Sequence, residues 1–160
     1  MRLKFIRIVV LLLGSAAWAQ AKFPQGWRAP KDTELGVPRN ELSAAADFDG
    51  DGKPDQAAIL VDDAGRTAGL FVFLSSSSRW TKLESGKLPE WRGLHVIAVK
   101  PGKYKTACSK GYGDYACANG EPDNLVLKFF GIDLFKPYSS DLFFYWNVKT
   151  KTFKKALITD

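Results

Sequence analysis

Short apolar stretches alternate with polar, turn-forming stretches along most of the chain, and none of them continues as a long helical period. β-branched and aromatic residues are frequent in the apolar stretches, while Gly, Pro, Asn, Asp and Ser separate them, which is typical of strands. The pattern predicts a mostly β fold, with a β-rich α+β fold as the alternative. The predicted strands are Leu42–Ala46, Ala57–Val61, Leu70–Leu74, Arg79–Leu83, Leu94–Val99, Leu125–Phe130, Leu142–Asn147 and Phe153–Ile158.

The aromatic residues indicate how the strands pack. Consecutive residues such as Phe143 and Phe144 point to opposite faces of a strand, so both faces need a cover. We therefore expect antiparallel strands in two layers, within a single compact domain that runs from residue 41 to 160. The segment "VKTKT" predicts a hairpin between the last two strands. Residues 22–40 are rich in Pro, Gly and charge, which predicts an irregular lead-in with one helical turn near Asp32–Leu35.

Residues 1–21 have the composition of a secretory signal peptide: a basic start, a short apolar run and a small-residue end. The apolar run from Ile8 to Leu13 is too short to span a bilayer. Cleavage is expected after Ala19 or Ala21. The sequence therefore predicts a bacterial protein that is exported to the periplasm or secreted and does not span a membrane.

The charge balance changes the picture little. The formal net charge of +6 falls to +3 once the three basic residues of the predicted signal peptide are removed. Such a mild excess does not indicate nucleic-acid binding, so no nucleic-acid partner is expected.

The segment from Asp47 to Asp55, "DFDGDGKPD", carries the clearest chemistry. Its aspartates occupy positions 1, 3, 5 and 9 of the loop, and Gly52 at position 6 permits a tight turn. Side chains at alternate positions can converge, and Ca²⁺ prefers about six to eight oxygen ligands in a flexible geometry. Magnesium is the less suited ion because it demands a stricter octahedron. A solvated Asp/Gly turn without a metal is the alternative interpretation.

The loop is not an EF-hand, because position 12 is Ala58 instead of Glu and a strand-like "AAILV" follows. It resembles the calcium loop of FG-GAP and VCBS-type repeats, in which D-x-D-G-D-G-x-x-D links two strands. A single copy is visible, so the resemblance does not extend to a propeller of repeated blades. By this resemblance the expected ligands are the side chains of Asp47, Asp49, Asp51 and Asp55 and the carbonyl of Lys53.

Segments outside the loop carry a second resemblance. Together, "GWRAP", "ELG", "LFVFL", "KTACSKGYGDYAC", "GIDLF" and "FYWNVKTKTF" are similar to a group of small exported bacterial proteins of unassigned function. This resemblance covers most of the chain after the predicted signal peptide. It implies export and calcium binding, and it implies no particular activity.

The two cysteines define a second candidate site. In an exported protein they are expected to form one disulfide, Cys108–Cys117, because thiols outside the cytoplasm tend to be oxidised. The enclosed segment "SKGYGDYA" contains Tyr112 and Tyr115 beside flexible glycines, a composition that suits recognition of a partner. The alternative is a surface loop whose tyrosines pack inward.

Little in the sequence indicates catalysis. His95 is the only histidine and lies inside a predicted strand, where a structural role is the simpler interpretation. The serine run at 75–78 lacks the surroundings of a nucleophile elbow. We therefore expect a non-catalytic calcium-binding protein that serves as a binding, inhibitory or immunity-type module in the cell envelope, with a protein or envelope component as partner. The alternative is a small secreted hydrolase that uses calcium structurally.

Overall fold

The strands form three antiparallel sheets in the computed structural model, which describes residues 22–110, 122–139 and 141–158. The mostly β fold and the antiparallel arrangement are confirmed. The strands are β1 Trp27–Arg28, β2 Ser43–Ala46, β3 Asp55–Asp62, β4 Thr67–Leu74, β5 Arg79–Lys87, β6 His95–Val99, β7 Gly102–Lys105, β8 Asn124–Leu127, β9 Gly131–Phe135, β10 Asp141–Asn147 and β11 Thr152–Ile158. Short 3-10 helices cover Arg39–Glu41, Leu88–Trp91 and Cys108–Lys110.

The first sheet has the order β1-β3-β4-β5, and β2 pairs with the other end of β3. The second sheet has the order β11-β10-β9-β6, and β7 and β8 form a separate two-stranded sheet. The expected hairpin between the last two strands is present, because Asn147 of β10 pairs with Thr152 of β11. Within the described residues, no helix has the length and apolar character needed to cross a membrane.

The main hydrophobic core lies between the first two sheets. Alternate side chains of β3 and β4 point inward, and they meet the inward side chains of the second sheet. Burying one large aliphatic or aromatic side chain contributes about 1.5–3 kcal/mol, so this shared core is the dominant stabilising contact between the layers. Its largest fully buried members are Leu35, Phe48, Ile59, Val61, Leu70, Val72, Val96 and Ile132.

The two sheets lie close together at one corner. β2 of the first sheet lies against β6 of the second. On the other side the layers end in the edge strands β5 and β11, and a cleft separates these strands. The layers therefore form a sandwich that is closed at the β2–β6 corner and open between β5 and β11.

Smaller clusters cover the outer faces. On the first sheet, Trp27 of β1 packs edge-on against Phe71, with ring centroids 4.6 Å apart. On the second sheet, the β7–β8 hairpin covers Phe143, and Tyr104 contacts its ring at 5.2 Å. Both faces of each main sheet are thus partly covered, as the consecutive aromatic residues predicted.

One predicted strand combines the residues of two separate elements. The strand expected over Leu125–Phe130 ends at Leu127, and a separate strand, Gly131–Phe135, follows it. The break is needed because β8 pairs with β7 in the small sheet, while β9 lies between β6 and β10 in the second sheet.

The predicted lead-in, residues 22–40, packs against the rest of the domain. Residues 32–34 lie in a turn that is closed by the hydrogen bond from the Glu34 N–H to the Lys31 carbonyl, and the first helical turn occurs later, at Arg39–Glu41. Leu35 and Val37 are buried in the main core, with 1% and 5% of their surface exposed. Trp27–Arg28 pairs with the end of β3. The segment is irregular, as predicted, but it completes the core.

Candidate metal centre

The aspartate loop joins β2 to β3 as a hairpin connection. Ala46 pairs with Asp55, so the intervening residues must reverse the chain direction. Gly50 and Gly52 have φ of 81° and 83°, a left-handed conformation that glycine adopts without steric cost. Gly50 has a second constraint, because an added Cβ would lie 2.3 Å from the ring of Phe129. The sequence pattern explains the turn, but the contact with Phe129 is visible only in three dimensions.

Three of the four predicted aspartate side chains converge. Asp47, Asp49 and Asp55 each offer a carboxylate oxygen, and these oxygens lie within 4.8 Å of one another. Oxygens that share one Ca²⁺ lie about 2.3–2.6 Å from it, so their mutual separations do not exceed about 5 Å. The spacing and the hard, anionic donors therefore fit a calcium ion.

Asp55 is the buried member of the group, with 0% of its surface exposed. Its Oδ2 accepts a hydrogen bond from the Phe48 N–H at 2.9 Å, and its Oδ1 accepts one from the Ser75 N–H at 2.9 Å. Burial raises the pKa of this carboxyl, the two backbone bonds oppose that rise, and the charge of Asp49 adds to it. A cation beside Asp55 would favour its ionised form.

The carboxylates of Asp47 and Asp49 are the more accessible members of the group. Asp47 accepts the N–H groups of Gly50 at 2.7 Å and Gly52 at 2.9 Å. Asp49 Oδ2 accepts the Ser76 hydroxyl at 2.6 Å. Backbone and hydroxyl donors therefore offset part of the repulsion between the crowded carboxylates, and they hold the side chains in a fixed arrangement.

Asp51 takes a different position. It is exposed and does not join the group of three; its Oδ1 accepts the Lys53 N–H at 2.7 Å, and its Oδ2 lies 3.5 Å from the Ser75 hydroxyl. The expected roles of Asp51 and of the Lys53 carbonyl as ligands stay predictions. The structure therefore brings together Asp47, Asp49 and Asp55, and it places Asp51 beside the same serine turn.

The serine run is the feature that sequence reasoning missed. The sequence assigned no role to residues 75–78, yet this β4–β5 turn donates hydrogen bonds to the aspartate loop through the Ser75 N–H and the Ser76 hydroxyl. The sequence contains a run of four serine hydroxyls that could donate hydrogen bonds to the four aspartates of the loop. Without the pairing of β3 with β4, nothing placed the two turns side by side.

The other candidate residues fall partly outside the described residues. Cys117, Tyr112 and Tyr115 lie there, so the disulfide and the recognition loop stay predictions. Cys108 begins the short helix that follows β7. His95 Nδ1 lies 2.8 Å from a carboxylate oxygen of Glu41, and its ring stacks on that of Phe135. These contacts support the structural interpretation of this histidine.

A buried carboxyl away from the loop was not singled out by the sequence. Asp133 of β9 has 5% of its surface exposed, and its Oδ1 has no hydrogen-bond partner among the described residues. Burial raises its pKa to about 7, and the charge of Asp141 adds to the rise. A single Asp within "GIDLF" gave no sign of this environment.

Comparison of the chain with family models, with curated proteins and with solved structures gives no match. The resemblance to FG-GAP and VCBS-type loops therefore rests on the residues of the aspartate loop. The metal assignment is accordingly a proposal built on the geometry of that loop.

Proposed function

We propose that this protein is an exported, non-catalytic calcium-binding protein that works as a binding module in the bacterial cell envelope. The observation that supports this best is the convergence of the Asp47, Asp49 and Asp55 carboxylates in one hairpin loop. The loop offers hard anionic oxygens at the spacing that Ca²⁺ requires. Asp51 and the Lys53 carbonyl are the further ligands that the resemblance implies.

The proposed role of calcium is structural. The two positive charges of the ion offset most of the three neighbouring negative charges, which otherwise repel one another within a hairpin loop. The same loop is hydrogen-bonded to the β4–β5 turn through Ser75 and Ser76. Calcium therefore fastens two adjacent turns of the first sheet, and its free energy of binding adds to the stability of the fold.

A calcium titration followed by calorimetry, combined with thermal melts, tests this role. The dissociation constant is expected at about 10⁻⁴–10⁻³ M, the range of extracellular calcium modules. Calcium at a hundredfold excess over that constant should raise the free energy of unfolding by about 2.7 kcal/mol. Asp49→Asn should remove most of the gain, because it keeps the shape of the side chain and deletes its charge.

The matched control is Asp63→Asn, which removes an exposed carboxylate from the β3–β4 turn, outside the group of three. This variant should retain the full calcium response. Equal melting temperatures in calcium and in chelator would contradict the metal assignment, and so would an unchanged response in Asp49→Asn.

The binding role assigns a protein or another envelope component as the partner, including a secreted enzyme that the module inhibits. The predicted loop between Cys108 and Cys117, with Tyr112 and Tyr115, supports this role through its composition. A pull-down from a periplasmic extract, with the purified protein as bait, tests it. Capture of a specific partner is the expected result, and turnover of an envelope substrate without a partner would contradict the role.

A further inference from the structure

The open side of the sandwich contains a cleft with a volume of about 780 Å³ between the edge strands β5 and β11. This volume lies within the range of about 300–1,000 Å³ that is typical of ligand sites. The floor of the cleft is apolar and belongs to the edge of the main core. Its apolar members are Leu74, Leu83, Phe144, Trp146 and Phe153.

Basic side chains surround this floor. Arg79 pairs with the inward residue Leu74, so it lies on the cleft side of β5. Lys155 pairs with the buried Phe144 and reaches across the cleft to Glu84, with 2.7 Å between Nζ and Oε2. Lys151 lines the cleft from the β10–β11 turn. Among the described residues that line the cleft none is acidic, and Glu84 beside them is paired with Lys155, so the lining carries an excess of positive charge.

Two further lysines line the cleft without pointing into it. Lys82 turns to the outer face of the first sheet, where its Nζ lies 5.7 Å from the centre of the Trp27 ring. Lys154 pairs with Tyr145, which packs with the outer cluster of the second sheet. These residues add to the positive field around the opening, but the inward charges are those of Arg79, Lys151 and Lys155.

The edges of the cleft also carry backbone hydrogen-bonding groups. Within the described residues, no strand pairs with the outer edge of β5, and β11 is bridged on its outer side only near its end, at Ile158. An unpaired edge strand can accept an extended peptide as an additional strand. A polysaccharide or a nucleic acid can satisfy the charges but cannot form such a ladder.

We infer that the cleft between β5 and β11 binds an extended acidic peptide segment of a partner protein, by strand addition to an edge and by contacts of its carboxylates with Arg79, Lys151 and Lys155. Alternate residues of such a strand point to opposite sides. One set of side chains can therefore meet the basic residues while the other rests on the apolar floor. This inference rests on the proposed binding role and assigns it a surface and a partner chemistry.

Fluorescence anisotropy with labelled nine-residue peptides, the length of β5, tests the inference. The probes are a peptide that alternates Glu and Val, the same peptide with alternate backbone N-methyl groups, and a peptide that alternates Lys and Val. The acidic peptide should bind, N-methylation should weaken binding about tenfold or more, and the basic peptide should not bind. A heparin fragment and a single-stranded oligonucleotide serve as competing polyanions.

The double variant Arg79→Glu/Lys151→Glu should weaken binding of the acidic peptide about tenfold or more, because it reverses two exposed charges of the cleft. The double variant Lys100→Glu/Lys103→Glu is the matched control, since both residues are exposed outside the cleft. It should bind as the wild type does. Thermal melts confirm that both variants fold.

Several outcomes overturn the inference. Absence of saturable binding at about 1 mM peptide would show that the charges only protect the strand edges from pairing. Equal binding of the N-methylated peptide, or stronger binding of either polyanion, would replace the peptide with a general anion as ligand. If calcium raises the melting temperature as expected while any of these binding results is found, the cleft assignment alone is wrong. If calcium has no effect while the acidic peptide binds specifically, the metal assignment alone is wrong.

Discussion

The carboxyl of Asp133 makes the stability of this protein depend on pH in a specific way. Asp133 lies in the middle of β9, opposite Ile97 of β6 and Phe143 of β10. It is 5% exposed, and in the part of the chain that the structure describes its Oδ1 has no hydrogen-bond partner. Burial raises its pKa to about 7, and the nearby charge of Asp141 adds to this rise. The folded protein therefore favours the protonated form of Asp133.

The sign and size of the effect follow from linkage. Between the reference pKa of 3.8 and the folded-state pKa of about 7, the folded protein holds a proton that the unfolded chain has released. The free energy of unfolding therefore falls as the pH rises through this interval, and it changes no further above pH 7 for this group. At 1.36 kcal/mol for each pKa unit, the total loss is about 4 kcal/mol.

Asp133→Asn isolates this contribution, because the amide has a similar shape and stays neutral. Urea unfolding, followed by circular dichroism between about pH 4 and pH 8, measures the free energy of unfolding of each variant. The advantage of Asp133→Asn over the wild type should grow with pH by about 4 kcal/mol across this interval. Asp63→Asn, at an exposed turn, should show no such growth.

Two results would refute the reasoning. A difference between Asp133→Asn and the wild type that stays constant across the whole interval would mean that Asp133 is solvated or paired in solution. A wild type whose free energy of unfolding rises from pH 5 to pH 7 by more than that of Asp133→Asn would reverse the sign. Each comparison uses two proteins at the same pH that share the aspartate loop. The contribution of that loop therefore cancels in the difference between their free energies of unfolding.

Three further predictions concern the loops. Gly50→Ala should lower the free energy of unfolding by about 1 kcal/mol or more, because φ is 81° and the added Cβ would lie 2.3 Å from a phenylalanine ring; an unchanged urea midpoint would contradict this. Reduction of the expected Cys108–Cys117 bridge should cost about 2–3 kcal/mol, and two free thiols in the mass spectrum of unreduced protein would exclude the bridge. Tyr112→Ala and Tyr115→Ala should weaken partner capture by about 1–3 kcal/mol with little change in melting temperature, whereas an early melt with normal capture would mean that both tyrosines pack inward.

The sequence predicted the strands whose side chains carry an unbroken apolar signal. Ala57–Val61 and Leu70–Leu74 lie inside β3 and β4, the two central strands of the first sheet. Both strands are rich in apolar residues because both of their faces are covered. Their apolar character can therefore be recognised without knowing which residues face the core. The hairpin of β10 and β11 was predictable for a similar local reason, since a short polar segment lies directly between two apolar strands.

The missed elements depend on partners that are distant in sequence. β9 contains Gly131 and Asp133, which weaken its strand pattern, and it is held in place by β6 and β10 on both sides. β1 is two residues long. It forms because the Trp27 ring packs on that of Phe71 and the Trp27 backbone pairs with Asp62 of β3. Pairing with strands that are distant in sequence overrides local strand propensity here. Such pairing cannot be predicted from one segment of the sequence at a time.

The candidate metal centre shows the same division between local and distant information. The positions of the aspartates along the loop predicted that four side chains would converge, and three of them, those of Asp47, Asp49 and Asp55, lie together. The separation of Asp51 from the other three was not predictable. Asp51 lies beside Ser75, a residue that approaches the loop only because β3 pairs with β4.

The aspartate loop and the basic cleft share one structural element, the turn between β4 and β5. Asp49 accepts the hydroxyl of Ser76, and Ser76 and Ser77 line the cleft. Without calcium, the carboxylates of this loop place negative charge beside the opening, which opposes the approach of an acidic peptide. On the proposed calcium site, a bound ion would offset much of that charge and hold the turn whose serines line the cleft. On the two proposals taken together, a structural ion therefore also favours binding, although it contacts no part of the ligand.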